Sequence, residues 1–249
     1  MIKMSNWTNL NLFLSLDDKY QHSKRELTEL LISAVIDNNK DNIISLIQKG
    51  AFINSFTEKQ SPLIAALEAN HIDLTPFLLK IGANPSVLVN NTDAVWMALE
   101  QKKYDFLNLF FSKKTKFNYI KETGETLLIR ATKNSDLAAV EIIAYKVNVN
   151  DKDHTGSTAL HYNFSKENPS TEDQQIGKIL LQCGADTNSQ NNDGISCNDL
   201  ANNENESILE NHKIKEIVEL DTFVSNDDNN DYDLDFDNEE PEKPKKFKL

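Results

Sequence analysis

Small residues recur along this chain at a fixed step: Ala34, Ala66, Ala98 and Ala131 stand 32, 32 and 33 residues apart, and Asn163 follows after a further 32. Gly50-Ala51 returns as Gly82-Ala83, and Asp41, Asp73 and Asp105 keep the same spacing. Three residue types sharing one period confine the fold to stacked units, each of which buries its apolar side only against its neighbours. A step of about 33 residues holds a turn and two helices, whereas propeller blades are longer and leucine-rich units shorter. Only 7 glycines in 249 residues, with 8% aromatics, also favour helices over a large sheet.

The residues around each small position say where helices begin and end. Ser61, Thr126 and Thr158 carry hydroxyls that can cap the first free amides of a helix, and Pro62 suits the position after the cap. Gly124, Gly156 and Gly194 precede Thr126, Thr158 and Ser196 by two residues, where a hairpin-like turn calls for positive φ. Gly50, Gly82 and Gly184 close second helices. The alanines let neighbouring helices approach, while Leu78, Leu79, Leu109, Phe110, Ile142, Ile143, Leu180 and Leu181 fill the layer behind. Units then run over 26–56, 57–88, 89–120, 121–152 and 153–190, with a partial one over 191–220. Residues 1–25 are expected to form an arm or capping helix before the capping-box pair Ser23 and Glu26, and residues 221–249 an acidic disordered tail.

Residues 58–86, EKQSPLIAALEANHIDLTPFLLKIGANPS, show the unit best, and DHTGSTALH at 153–161, KETGETLL at 121–128 and CGADTN at 183–188 supply its other signatures. The pattern resembles the ankyrin repeat, with its glycine turn, Thr-Pro-Leu-His helix start, paired-alanine helix, leucine-rich second helix and closing Gly-Ala-Asp-x-Asn. The resemblance implies an all-α ankyrin-repeat solenoid of about five repeats with terminal caps. It also implies a protein that binds another protein through hairpin tips and the inner helices of a concave face. The partner-binding residues expected on that basis are Phe56, Thr57, Glu58, Val89, Asn90, Lys121, Glu122, Lys152, His154 and Gln190. Phe56 and Val89 are apolar residues at tips, which either meet a partner or pack on the next hairpin. His161 falls on the histidine of the helix-start motif, a position implied to hydrogen-bond backbone between repeats. Three departures stand out: Lys114 where a closing glycine belongs, Asn163 in the alanine ladder, and SKENPSTEDQ at 165–174 lengthening the fifth unit.

Residues 221–249 hold 10 acidic and 4 basic side chains, so −6 of the formal net charge of −13 lies there and −7 on the rest. With no excess of Lys or Arg, nucleic acid and anionic membrane are poor partners, and no apolar run is long enough to span a bilayer. Cys183 and Cys197 give no disulfide framework and fit a reducing compartment. The expectation is a soluble, cytoplasmic protein that is monomeric when free. His22, His71, His154, His161 and His212 lack metal-ligand spacing, so no catalytic residue, metal or cofactor is expected. Asp231, Asp233, Asp235 and Glu242 are spaced like a calcium loop, but Phe236 replaces its glycine, which favours a solvated tail. The last residues, DNEEPEKPKKFKL, are similar to the C-terminal export signals of effectors that Legionella-type bacteria inject through a type IVB secretion system. That likeness implies a secreted effector, translocated into a host cell, that binds a host protein. An adaptor or inhibitor that stays in its own cell is the alternative.

Overall fold

The 32-residue step becomes a pair of helices. The computed structural model describes residues 24–112, 124–201 and 205–214. The pairs are α1 (Lys24–Ile36) with α2 (Lys40–Gln48), α3 (Pro62–Glu68) with α4 (Thr75–Lys80), and α5 (Ala94–Glu100) with α6 (Tyr104–Phe111). They continue as α7 (Leu127–Lys133) with α8 (Leu137–Ile143) and α9 (Ala159–Phe164) with α10 (Thr171–Gln182), closed by the short α11 (Cys197–Leu200). First helices pack on first helices along the chain, and from α4 onward second helices pack on second helices, giving two layers. The described residues contain no strand, only isolated bridges between Val89 and Thr92 and between Gln190 and Ser196. Helices α1 to α11 lie in Met1–Asn205; a second compact unit, Glu206–Leu249, is described only as far as a helix ending at residue 214. The expected arm apart from Lys24 and Arg25, which begin α1, lies outside the described residues, as do Lys114, Lys121, Glu122 and the acidic tail.

Side-chain caps start the helices as the sequence indicates. Ser61 Oγ accepts from Ile64 N at 3.4 Å, and Thr126 Oγ1 from Ile129 N at 3.1 Å. Asp93, unmarked by the motif, does the same for α5, with Oδ1 2.8 Å from Trp96 N. The first helices of the first four pairs turn back through a left-handed residue that is not glycine: Asn38, Asn70, Lys102 and Ser135, with φ between 52° and 57°. A side chain from a following pair then covers a freed carbonyl. His71 Nε2 donates to Ile36 O at 2.6 Å, Lys103 Nζ to Leu67 O at 2.5 Å, and Lys166 Nζ to Thr132 O at 3.0 Å. A positive group at a helix C-terminus also meets the negative end of its dipole.

The alanine ladder is core: Ala34, Ala66, Ala98 and Ala131 are fully buried, and Asn163 is 1% exposed in the same place. Behind it Leu78, Leu79, Phe110, Ile143, Leu180 and Leu181 are buried, while Leu109 and Ile142 are half-buried. The larger Asn163 is accommodated by a glycine in the opposing helix. A Cβ on Gly177 of α10 would stand 2.7 Å from Asn163 Oδ1. Asn163 cannot turn aside without losing the bond from its Nδ2 to Asp173 O, 2.9 Å. Gly177→Ala should therefore destabilise the protein by about 1–2 kcal/mol, although alanine is the better helix former. In an Asn163→Ala background the same change should become neutral or stabilising, which a double-mutant cycle by urea unfolding would read directly.

Residues 165–174 are not a loose insertion. Ser170 Oγ accepts from Asp173 N at 3.2 Å while Asp173 Oδ2 accepts from Ser170 N at 3.0 Å, a capping box that starts the 12-residue α10. Lys166 Nζ lies 2.5 Å from Asp173 Oδ1 and also donates to Ser135 Oγ at 2.8 Å. The added residues thus build a half-buried ion pair that ties the fifth pair of helices to the fourth.

Candidate partner-binding surface

Two of the polar residues expected at hairpin tips, Asn90 and Lys152, join one hairpin to the next, as do Asn54, Asn150 and Asn192. Asn54 Nδ2 donates to Gly82 O at 3.0 Å and its Oδ1 accepts from Asn84 N at 2.6 Å; Asn150 repeats both bonds with Gly184 O and Asp186 N. Asn90 Nδ2 donates to Glu58 O at 2.5 Å, and Lys152 Nζ to Gln190 O at 2.7 Å. Asn192 Nδ2 donates to His154 O at 2.9 Å. Asn90, Lys152, His154 and Gln190 all keep exposed surface; Asn90 and Lys152 commit side chains to these braces, whereas His154 and Gln190 commit only backbone carbonyls.

Of the two outcomes open to Val89, meeting a partner or packing, its burial favours packing. Its side chain is 3% exposed because its backbone pairs with Thr92, which turns the side chain inward and its neighbour outward. The exposed apolar residue of that hairpin is Leu88, at 61%, one step of 32 from Phe56, at 58%. Periodicity alone carried the signal: Leu88 is the residue that matches Phe56 in the repeat.

The first helices carry a different and continuous feature that the motif did not single out. Arg130 of α7 lies over the Trp96 ring, 5.7 Å from its centre, with Nε 3.3 Å from Glu100 Oε1 and Nη2 3.2 Å from Glu125 Oε2. Glu125, itself buried, also takes Lys133 Nζ at 3.1 Å. Lys133 sits over the Tyr162 ring at 4.0 Å, and Tyr162 Oη donates to Asp153 Oδ2 at 2.5 Å. Three successive pairs thereby share one band of alternating charges and rings, with Arg130 and Tyr162 half-buried and Glu100 and Lys133 exposed.

The charges of this band are fixed by their surroundings. Burial works against the Lys133 ammonium, but Glu125 and Tyr162 outweigh it and raise its pKa. Burial likewise opposes the Asp153 carboxylate, and donors from Thr155, Tyr162 and Ser157 overcome it and lower its pKa. The same carboxylate shapes the hairpin, with Oδ1 accepting from Thr155 N at 2.9 Å and Ser157 N at 3.1 Å.

His161 occupies the structural role implied for it. Its Nδ1 accepts from Thr158 N at 3.2 Å, which leaves Nε2 to donate to Ile195 O of the next hairpin at 3.2 Å. Cys197 Sγ packs 3.3 Å from the same Nδ1, and burial pushes its thiol up to about 12. Such a thiol stays protonated and unreactive near neutral pH. Burial also raises Cys183, an intermediate residue near Tyr145. Among the described residues no group of three His, Cys, Asp or Glu could hold a metal ion, and no helix is long and apolar enough to cross a membrane.

Stacked helix pairs, left-handed turns and a buried helix-start histidine coincide with a sequence match. The model of three ankyrin repeat copies matches residues 95–192. This is an ankyrin-repeat fold. Solved ankyrin structures superpose on it over most of their length. An ankyrin repeat domain from Acinetobacter baumannii AYE is 25% identical, covering 73% of this chain and 94% of that one at a TM-score of 0.60. The ankyrin repeat protein EF0377 is 20% identical, covering 75% and 97% at a TM-score of 0.59. A chain in the complex of the Bd0816 predatory endopeptidase from Bdellovibrio bacteriovorus with immunity protein Bd3460 is 24% identical, covering 72% and 93% at 0.51. Ankyrin repeats are scaffolds for protein–protein interaction, and the band across α5, α7 and α9 links the exposed Glu100 and Lys133 with the half-buried Arg130 and Tyr162.

Proposed function

We propose that this chain is a non-catalytic protein-binding scaffold that holds its partner on the first-helix band between Trp96 and Tyr162, with the hairpin tips at Phe56, Thr57, Glu58, Asn90, Lys152, His154 and Gln190 along its edge. The band carries the reading. Arginine and tyrosine are prominent in the binding energy of protein interfaces, and here the half-buried Arg130 and Tyr162 are held in place before a partner arrives, Arg130 over the buried Trp96 ring, which lowers the entropy lost on binding. Glu100 and Arg130 can exchange their mutual contact for a partner's while Arg130 and Lys133 keep the buried Glu125 carboxylate paired. Lys121 and Glu122, between α6 and α7 in sequence, belong to the same set of proposed tip residues.

The proposed setting is a secreted effector whose partner is a host protein, supported by the likeness of DNEEPEKPKKFKL to export signals. One experiment tests both statements. Immobilised protein is exposed to eukaryotic and to bacterial lysate, beside Tyr162→Ala and Arg130→Glu variants checked for unchanged thermal unfolding. A partner captured only from the eukaryotic lysate, and reduced about tenfold by either variant, is the expected result. Capture that ignores both variants would remove the band from the site, and a partner found only in the bacterial lysate would remove the host-directed setting.

A further inference from the structure

Apolar tip residues are unevenly distributed among the hairpins. At equivalent places Lys152 braces Gln190 through its carbonyl, whereas Phe56 and Leu88 present a phenyl ring and an isobutyl group to solvent, 58% and 61% exposed. The bond from Asn90 to Glu58 O locks these two hairpins side by side, so the two apolar groups face outward from adjacent tips in the same register. Exposed pairs of this size cost solubility unless something covers them.

Phe56 also forms one wall of a hollow between the first hairpin and the start of α1, where Lys24, Arg25 and Lys59 gather. Arg25 is neutralised by Glu29, with Nε 3.1 Å from Oε1. Lys24 and Lys59 take no ion-pair partner among the described residues, so three cations face the two carboxylates of Glu29 and Glu58 around the hollow. The rim therefore presents two unpaired ammonium groups beside an aromatic wall, on a chain whose net charge is −13. A charge more than a Debye length away is screened at physiological salt, so the local cations decide what is attracted here.

We infer that this hollow and the Phe56–Leu88 ridge form a second docking site, which takes a short extended segment of a partner protein whose carboxylates alternate with large apolar side chains. The apolar groups cover Phe56 and Leu88 while the carboxylates meet Lys24 and Lys59. Extended backbone suits the site because side chains two residues apart then point the same way, matching a ridge on one side and a cationic rim on the other. The site takes Phe56, Thr57 and Glu58 from the tips proposed along the edge of the band but no residue of the band itself, so variants at Arg130 or Tyr162 test the band separately.

The probe is a fluorescein-labelled peptide of alternating aspartate with phenylalanine and leucine, titrated with the full chain and read by anisotropy; its control replaces every aspartate with lysine. The acidic peptide should bind at least about tenfold more tightly than the basic one. A Lys24→Glu, Lys59→Glu double variant should abolish that preference, and Phe56→Ala with Leu88→Ala should weaken the acidic peptide about tenfold while far-UV circular dichroism stays unchanged. Tyr162→Ala, which disturbs only the band, should leave peptide binding intact. Equal binding of the two peptides, no binding of the acidic one, or binding indifferent to both double variants would overturn the inference without touching the band.

Discussion

Gly156→Ala should lower the free energy of unfolding by about 3 kcal/mol, roughly three times the effect of Gly194→Ala. Both glycines sit in the left-handed region, with φ of 76° and 77°. Their surroundings differ. A Cβ on Gly156 would meet Asn192 Oδ1 at 2.5 Å and Asn192 N at 2.8 Å, whereas nothing lies within 4 Å of one on Gly194. Asn192 cannot retreat cheaply, because its amide donates to Thr155 O at 2.9 Å and its side chain to His154 O at 2.9 Å. Gly194→Ala bears the backbone strain alone, whereas Gly156→Ala must also push its hairpin away from the next one. Urea unfolding of the two variants beside wild type measures the difference; equal losses would mean that close hairpin stacking is not what requires the glycine.

Asp173→Ala should destabilise by about 3 kcal/mol, since it removes the buried member of a half-buried pair, leaves Lys166 without its carboxylate and uncaps α10. Asp173 is 4% exposed and performs two tasks, capping α10 and receiving Lys166. Burial penalises its carboxylate, but bonds from Lys166, Ser135 and Ser170 outweigh that and lower its pKa below the ordinary aspartate value. With the folded pKa depressed, the carboxylate stabilises the fold above an unfolded pKa of about 4 and ceases to do so as pH falls through the lower folded value. The gap between wild type and Asp173→Ala should therefore be full at pH 7 and narrow below about pH 4. A gap independent of pH would assign the loss to packing.

The sequence was informative wherever one residue type had one local task. Ser61, Thr126, Gly82 and Gly184 could be placed because caps and left-handed turns depend on a few bonds within the same unit. His161 could be placed because the resemblance carries that residue's role. Long-range compensation was not legible: Asn163 reads as an interruption in sequence, yet Gly177, 14 residues on, faces it. The residues at 165–174 read as an insertion because their purpose, the Lys166–Asp173 pair, rests on Thr132 and Ser135 of the preceding pair. Which of Val89 and Leu88 faces solvent was not legible because a one-residue change in a short bridge turns a side chain from solvent to core. The band from Trp96 to Tyr162 is invisible in sequence since it joins residues of three successive repeats that share no residue type.

The most direct test is hydrogen–deuterium exchange of the intact chain, alone and saturated with a captured partner. Added protection is expected in peptides from α5, α7 and α9 and in the hairpins before them, with α6, α8 and α10 unchanged. Protection confined to the second-helix layer, or absent from all three first helices, would contradict a partner site on the first-helix band.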